Sequence, residues 1–422
     1  MSSVGSVGTG FDMVTDPAGE DTNRAAGAAA ALRSTTAIRE RARHLLQRAR
    51  SGDSAWFSVD DGALTAAAAE VADVTRTRYP DLLVPFHSRW RHFEAGGIDR
   101  KAQLGAGVDA RAMIDLAVVS VLLDAGAGPD WRYDEAATGQ RFARSEGLGV
   151  ASWHAFTSGL FSSDTTDPLR ADAAALCDLD ADRLAEAFQV GPSNPLVGLD
   201  GRVAVLHRLG AALTARPEAF GAQGRPGGLF DALVTSHDRP AVGAHDILSA
   251  LLTSLSGIWP ADNAIGDEPV GDCWRHPAVP GPGLTQGWMP FHKLSQWLTY
   301  SLLEPFRWGG VSVDGLDALT GLPEYRNGGL LLDTGVLRLH DPDWTTREWT
   351  AGDELVVEWR ALTVALLDEL APLVRSRLGV DAERMPLACV LEGGTWAAGR
   401  ALAQRLRGGL PPLTIISDGT VF

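Results

Sequence analysis

The sequence predicts a mainly α fold: one large helical domain over residues 31–422 with a few short strands. Three observations predict it. Apolar residues recur at helical spacing in segment after segment. Gly, Pro and capping residues close those segments. Neither a strand–helix alternation nor a solenoid-type repeat interrupts them. Residues 1–30 are rich in Gly, Ser, Asp and Ala without periodicity, and are expected to form a flexible tail.

From Ser34 onward the elements can be justified in turn. Ile38, Ala42, Leu45, Leu46 and Ala49 form one helical face, stopped by Ser51-Gly52. Residues 61–78 predict a second helix, ended before Pro80. Residues 110–125 are apolar enough for a buried helix, and 134–146 and 150–161 suggest two short ones. DPLRADAAALCDLDADRLAEAF gives two further pieces, and RVAVLHRLGAALTA a helix with Val203, Leu206, Leu209 and Leu213 on one side. After a helix over 244–257 comes a Pro-, Gly- and Trp-rich loop from Ile258 to Met289, long enough to suggest function. A helix begins near Pro290. A turn at PEYRNGG and a β-rich patch near 329–340 follow it. A long helix over 353–378 contains Pro372 as an expected kink. LACVL, a Gly-Gly turn, a helix opening at Thr395 and the tail LTIISDGTVF complete the chain.

Bulk properties exclude several classes. The chain has 422 residues, 45% hydrophobic and 21% charged, as in a soluble globular protein. A net charge of −16 disfavours nucleic acid and anionic membranes as partners, so an anionic ligand needs a local basic pocket. Cys177, Cys273 and Cys389 are widely separated, which argues against a disulfide framework or zinc ribbon and suits a reducing cytoplasm. No 18-residue apolar run predicts a membrane span, and the N-terminal residues lack a secretory pattern. The histidines show no HExxH spacing, so no metal or other cofactor is expected. Oligomeric state is not encoded in any of these features.

Several stretches carry chemistry-bearing side chains. FHSRWRHFEAGGIDR, residues 86–100, groups His87, Arg89 and Trp90; arginine beside aromatic rings suits a phosphate or planar group, and equally suits a helix end with core aromatics. In the helix after Pro290, Phe291, Leu294, Leu298 and Leu302 share one face and Lys293, Gln296, Tyr300 and Glu304 another. Lys293 is one of only two lysines in an arginine-dominated chain, which marks a place where a compact ammonium matters. LEGGTWAAGR offers Glu392 and a helix start at Thr395 that would attract an anion. Asp418 in the terminal SDGTVF is either a surface turn or an internal carboxylate. Most distinctive is TGLPEYRNGGLLLDTG, residues 320–335, where Glu324, Tyr325, Arg326 and Asn327 precede Gly328 and Gly329.

Together, FHSRWRHFEAGGIDR, PFHKLSQWLTYSLLEPF, LTGLPEYRNGGLLLDTGVL, LEGGTWAAGRALA and SDGTVF resemble the uracil-catabolism protein family of fungi and bacteria, over roughly residues 35–422. In that pathway uracil becomes a nucleotide, its ring is opened and urea is released. PEYRNGG also resembles, more loosely, the aspartate-tyrosine-arginine segment of queuosine-nucleotide salvage glycosidases, with Glu324 in place of aspartate. That likeness implies a DNA-glycosylase-like helical core.

The resemblance implies a hydrolase that cleaves the N-glycosidic bond of ribosylurea, or of its 5′-phosphate. Such a cleavage passes through a cation-like sugar that a carboxylate stabilises. Glu324 is the first candidate and Asp333 the second. Arg326, Lys293 and Arg89 are the candidates for phosphate. Asn327, Gln296 and Tyr325 suit the urea amide, and Trp90 and Trp297 the sugar, with His87 among the binding residues. The expected partner is a small ribosyl or nucleotide-like molecule. A phosphoribosyltransferase, or a non-catalytic nucleotide-binding protein of the same pathway, is the alternative; Glu324 and Arg326 would then form only a turn ion pair.

Overall fold

The computed structural model describes residues 21–104, 107–124, 126–234, 240–259 and 263–416. The C-terminal SDGTVF segment with Asp418 lies outside the described residues. The fold is organised around one 25-residue helix, Glu354–Leu378, about 37 Å long at 1.5 Å per residue. Every residue from Leu355 to Leu367 is buried. A helix apolar around its whole circumference must be enclosed by others. Thr35–Ser51 and Leu64–Arg78 pack along it. The polar residues within the buried stretch are paired: Glu358 with His276 at 3.0 Å and with the Ser54 hydroxyl, and Arg360 with Asp272.

A second layer joins Ala110–Leu122 to Lys293–Trp308, and Lys293–Trp308 to Ala244–Leu255. A third contact, between Tyr325–Asp333 and Trp396–Arg407, closes the molecule beside the long helix. These layers share one apolar core. A smaller cluster of Ala28, Ala29, Leu32, Ile265, Val270, Cys273 and Trp288 lies apart from it. Strands are short and occur only in pairs among the described residues. Phe57–Val59 runs antiparallel to Leu337–Leu339, and Cys273–Arg275 antiparallel to Trp288–Pro290. The mainly α expectation is met.

Five local expectations are corrected. Residues 25–30, assigned to the tail, lie in the helix Ala25–Leu32, with Ala28 and Ala29 buried. Of the helix expected over 134–146 only residues 144–146 are helical, as the start of Arg144–Thr157; before it Tyr133–Glu135 and Gln140–Phe142 form a hairpin, turned by Gly139 at φ +68°. The 258–289 loop contains short strand pairs.

The PEYRNGG turn and the start of the expected β patch are the helix Tyr325–Asp333, and strand structure begins at Leu337. Here the glycine pair is not punctuation. A Cβ on Gly328 would stand 2.6 Å from the Trp359 ring, so the glycine lets this helix touch the long one. Likewise Gly393-Gly394 is no turn and Thr395 no N-cap: Leu391–Thr395 is a π-helical stretch running into Trp396–Arg407, with Thr395 at helical φ −64°, ψ −48°. The anion-attracting helix start expected there is therefore absent. The long helix continues through Pro372 to Leu378.

Candidate functional site

Glu324 caps the Tyr325–Asp333 helix. Its backbone is extended, and its carboxylate accepts the N–H groups of Arg326 at 2.8 Å and Asn327 at 2.5 Å. The first amides of a helix have no intrahelical partner. Shorter side chains usually serve them, so a glutamate here is uncommon. Glu324 is half-buried, and desolvation pushes its pKa up against the pull of the two amides, of Lys293 and of His87. No ion pair joins Glu324 to Arg326. The Arg326 guanidinium turns to the Gly409 carbonyl at 3.1 Å and lies over the Tyr325 ring.

Lys293 opens the Lys293–Trp308 helix. A cation in a first helical turn opposes the helix dipole. Burial, and then the nearby Arg360 guanidinium, lower its pKa to about 8, while Asp272, Glu324 and Asp124 act against that shift. The preceding residue, His292, is left-handed at φ +50°, a conformation costly for a side chain of this size. Asp272 fixes this corner. It takes both arms of Arg360 at 2.8 Å and accepts the Lys293 backbone N–H at 3.0 Å.

A third group comes from the segment after Phe86. His87 Nδ1 lies 2.9 Å from the buried Glu392 carboxylate, which also receives Arg78 at 2.8 Å and the Tyr79 hydroxyl at 3.0 Å. Burial pushes Glu392 up, but His87 and Arg78 together hold it below the usual carboxylate range. Arg89 is fully buried and pairs with Asp124 at 2.9 Å. It lies 5.8 Å from the Trp297 ring, and His92 stands edge-on to the same ring at 6.0 Å. Burial, reinforced by Arg89, holds His92 well below the ordinary histidine pKa.

Lys293 and His87 are thus each within electrostatic reach of Glu324, although the three come from separate stretches of chain. Arg89 and Trp297 lie against the adjoining Asp124 and His92. Tyr325 follows Glu324 and is half-buried. Asn327 stands behind Glu324, donating to the Leu322 carbonyl at 3.0 Å and leaving Oδ1 without a hydrogen bond.

Other candidates are placed elsewhere. Asp333, at the far end of the helix, makes a two-armed pair with Arg407 at 2.7 Å. Gln296 is committed on both sides of its amide to Thr320, at 2.9 and 3.3 Å. Trp90 is core: it donates to the Ser301 carbonyl at 2.8 Å and packs against Phe93 and Trp308. Asp272, Arg360, Asp124 and the role of Glu392 were missed; no local pattern announces partners that lie tens to hundreds of residues away. Among the described residues no group of three or more His, Cys, Asp or Glu side chains is arranged to hold a metal ion, and no helix is long and apolar enough to cross a membrane.

The chain is 40% identical over 377 residues to Uracil catabolism protein 4 of Lachancea kluyveri, covering 80% of this chain and 85% of that protein. It is 39% identical over 409 residues to Protein urg3 of Schizosaccharomyces pombe, covering 93% of this chain and 98% of that one. Residues 31–422 match the family described as Protein of unknown function (DUF1688), and the chain belongs to that family.

Proposed function

We propose that this protein acts in uracil degradation as a cytoplasmic hydrolase, cleaving the N-glycosidic bond of ribosylurea or of its 5′-phosphate to release urea. The uracil-catabolism name of a relative with 40% identity supports the pathway. One observation carries the chemistry: the half-buried Glu324 carboxylate, held by two backbone amides, lies within the field of the Lys293 ammonium. Bond breaking at C1′ leaves positive charge on the sugar, and a carboxylate fixed in a site shielded from water stabilises it far better than one in solution.

In this reading Glu324 faces C1′ and activates the attacking water. Lys293, a compact cation, holds the anionic end of the substrate. Tyr325 and Asn327 orient the urea amide, and Trp297 lines the sugar. Arg89 contributes less net charge than an unpaired cation, because Asp124 offsets it.

The purified protein, incubated with ribosylurea and separately with its 5′-phosphate, is expected to release urea and the corresponding sugar. Glu324→Gln is expected to lose about 100-fold or more in rate while keeping its thermal transition. Turnover of neither form rejects the reading. Product from uracil and phosphoribosyl diphosphate would identify a transferase, and tight binding without turnover a non-catalytic binding protein.

A further inference from the structure

Urea is a poor leaving group as an anion, so a hydrolase of this kind needs an acid as well as a carboxylate. Glu324 cannot readily serve as both. Its two oxygens already accept backbone N–H groups, so a proton placed on either would compete with one of those bonds. Gln296 is tied to Thr320 and Asp333 to Arg407. The Tyr325 phenol is pushed further from neutrality by burial and by Glu324.

His87 is arranged differently. Its Nδ1 faces a carboxylate, Glu392, that receives an arginine and a tyrosine hydroxyl as well. A carboxylate so engaged has no proton to give, so Nδ1 carries the hydrogen and donates. That leaves Nε2 as the atom that gains and loses a proton. Nε2 has no hydrogen-bond partner among the described residues, and the side chain keeps 19% of its surface exposed. The charged and titratable groups around the ring are Glu392, Arg78 and Tyr79 on the Nδ1 side, with Glu324 and His92 also in range.

We infer that His87 is the general acid of the reaction, delivering a proton from Nε2 to the departing urea nitrogen, and that Glu392 is a positioning residue that fixes the ring and its tautomer. This rests on the glycosidase reading above. As the C1′–N bond breaks, its electron pair goes to the urea nitrogen, which takes the proton from Nε2. Water adds to C1′ and gives a proton to Glu324. Return of that proton through solvent to His87 restores the starting state, with one water consumed and one urea and one sugar formed.

The test uses two substrates with different needs. Ribosylurea requires a proton on its leaving group; a p-nitrophenyl riboside does not. His87→Gln is expected to slow ribosylurea hydrolysis by about 100-fold or more, and the aryl riboside only about fivefold or less. Glu392→Gln is expected to show the same selectivity at smaller size, about tenfold, with thermal unfolding checked in parallel. Glu324→Gln should slow both substrates. If His87→Gln slows both substrates equally, or neither, His87 is not the acid. If it does not fold, equal slowing of the two substrates by Glu392→Gln overturns the inference. Each compound is supplied with and without a 5′-phosphate, and if wild-type protein turns over neither in either form, the glycosidase reading itself fails. Hydrolysis of both with no leaving-group selectivity in either variant leaves that reading standing and removes this one.

Discussion

Glu324 and Asp333 bracket the same nine-residue helix and are held in opposite ways. Glu324 accepts backbone N–H groups before the first turn, while Asp333, the final helical residue, grips Arg407 with both oxygens. At 1.5 Å per residue they are roughly 13 Å apart, too far to share one anomeric carbon. The Asp333 pair fastens this helix to Trp396–Arg407. Asp333→Asn is therefore expected to lower unfolding free energy by about 1–3 kcal/mol in urea titrations and leave kcat for ribosylurea unchanged. A large loss of kcat in a folded Asp333→Asn protein would place it in the chemistry.

Lys293 gives a pH signature. Its folded-state pKa is lowered from 10.5 to about 8. Between those values the unfolded chain binds the proton that the folded chain has released, so stability rises with pH across that window. Relative to Lys293→Met, the wild type is expected to gain on the order of 2–3 kcal/mol of stability from pH 8 to pH 10.5. Parallel urea titrations check the sign; equal pH dependence in both proteins contradicts it.

Arg360 anchors the corner that presents Lys293. Replacing it with Met leaves the Asp272 carboxylate buried beside an apolar chain. Removing one partner of a buried ion pair typically costs about 3–5 kcal/mol. A loss of that size is expected for Arg360→Met in denaturant titrations, together with a raised KM, because Asp272 also holds the Lys293 backbone.

Gly399 sets the distance between the last helix and the Glu324 helix. A Cβ there would fall 2.1 Å from the Arg326 carbonyl oxygen, which is backbone and cannot swing aside. Gly399→Ala is expected to destabilise by about 1–3 kcal/mol by forcing the helices apart. Thermal unfolding measures it, and a variant as stable as wild type contradicts this packing.

The helices were legible where their apolar periodicity was strong. The segments expected at 61–78, 110–125, 244–257 and 353–378 appear as helices with ends shifted by a few residues. Tyr133–Phe142 was misread because its Ala-Ala-Thr run has helical composition, while Gly139 takes a left-handed turn. Tyr325–Asp333 and Leu391–Thr395 were misread for one reason: paired glycines signal turns locally, but here they make room for Trp359 and for the Leu64–Arg78 helix. The site was legible in part. Glu324, Lys293 and His87 stand out as unusual side chains in their segments. Their partners Glu392 and Asp272 are set by packing between remote elements, and no periodicity reports that.

The contact between His87 and Glu392 spans 305 residues of sequence. At the usual 5–20 residues per second of translation, the imidazole leaves the ribosome roughly 15–60 s before the carboxylate it pairs with. Until then His87 lacks the carboxylate it faces in the folded chain. A chain cut short after the Glu324 helix would lack both the Glu392 partner of His87 and the Trp396–Arg407 helix that packs on Tyr325–Asp333, so both contacts wait for residues 392–407 to be made.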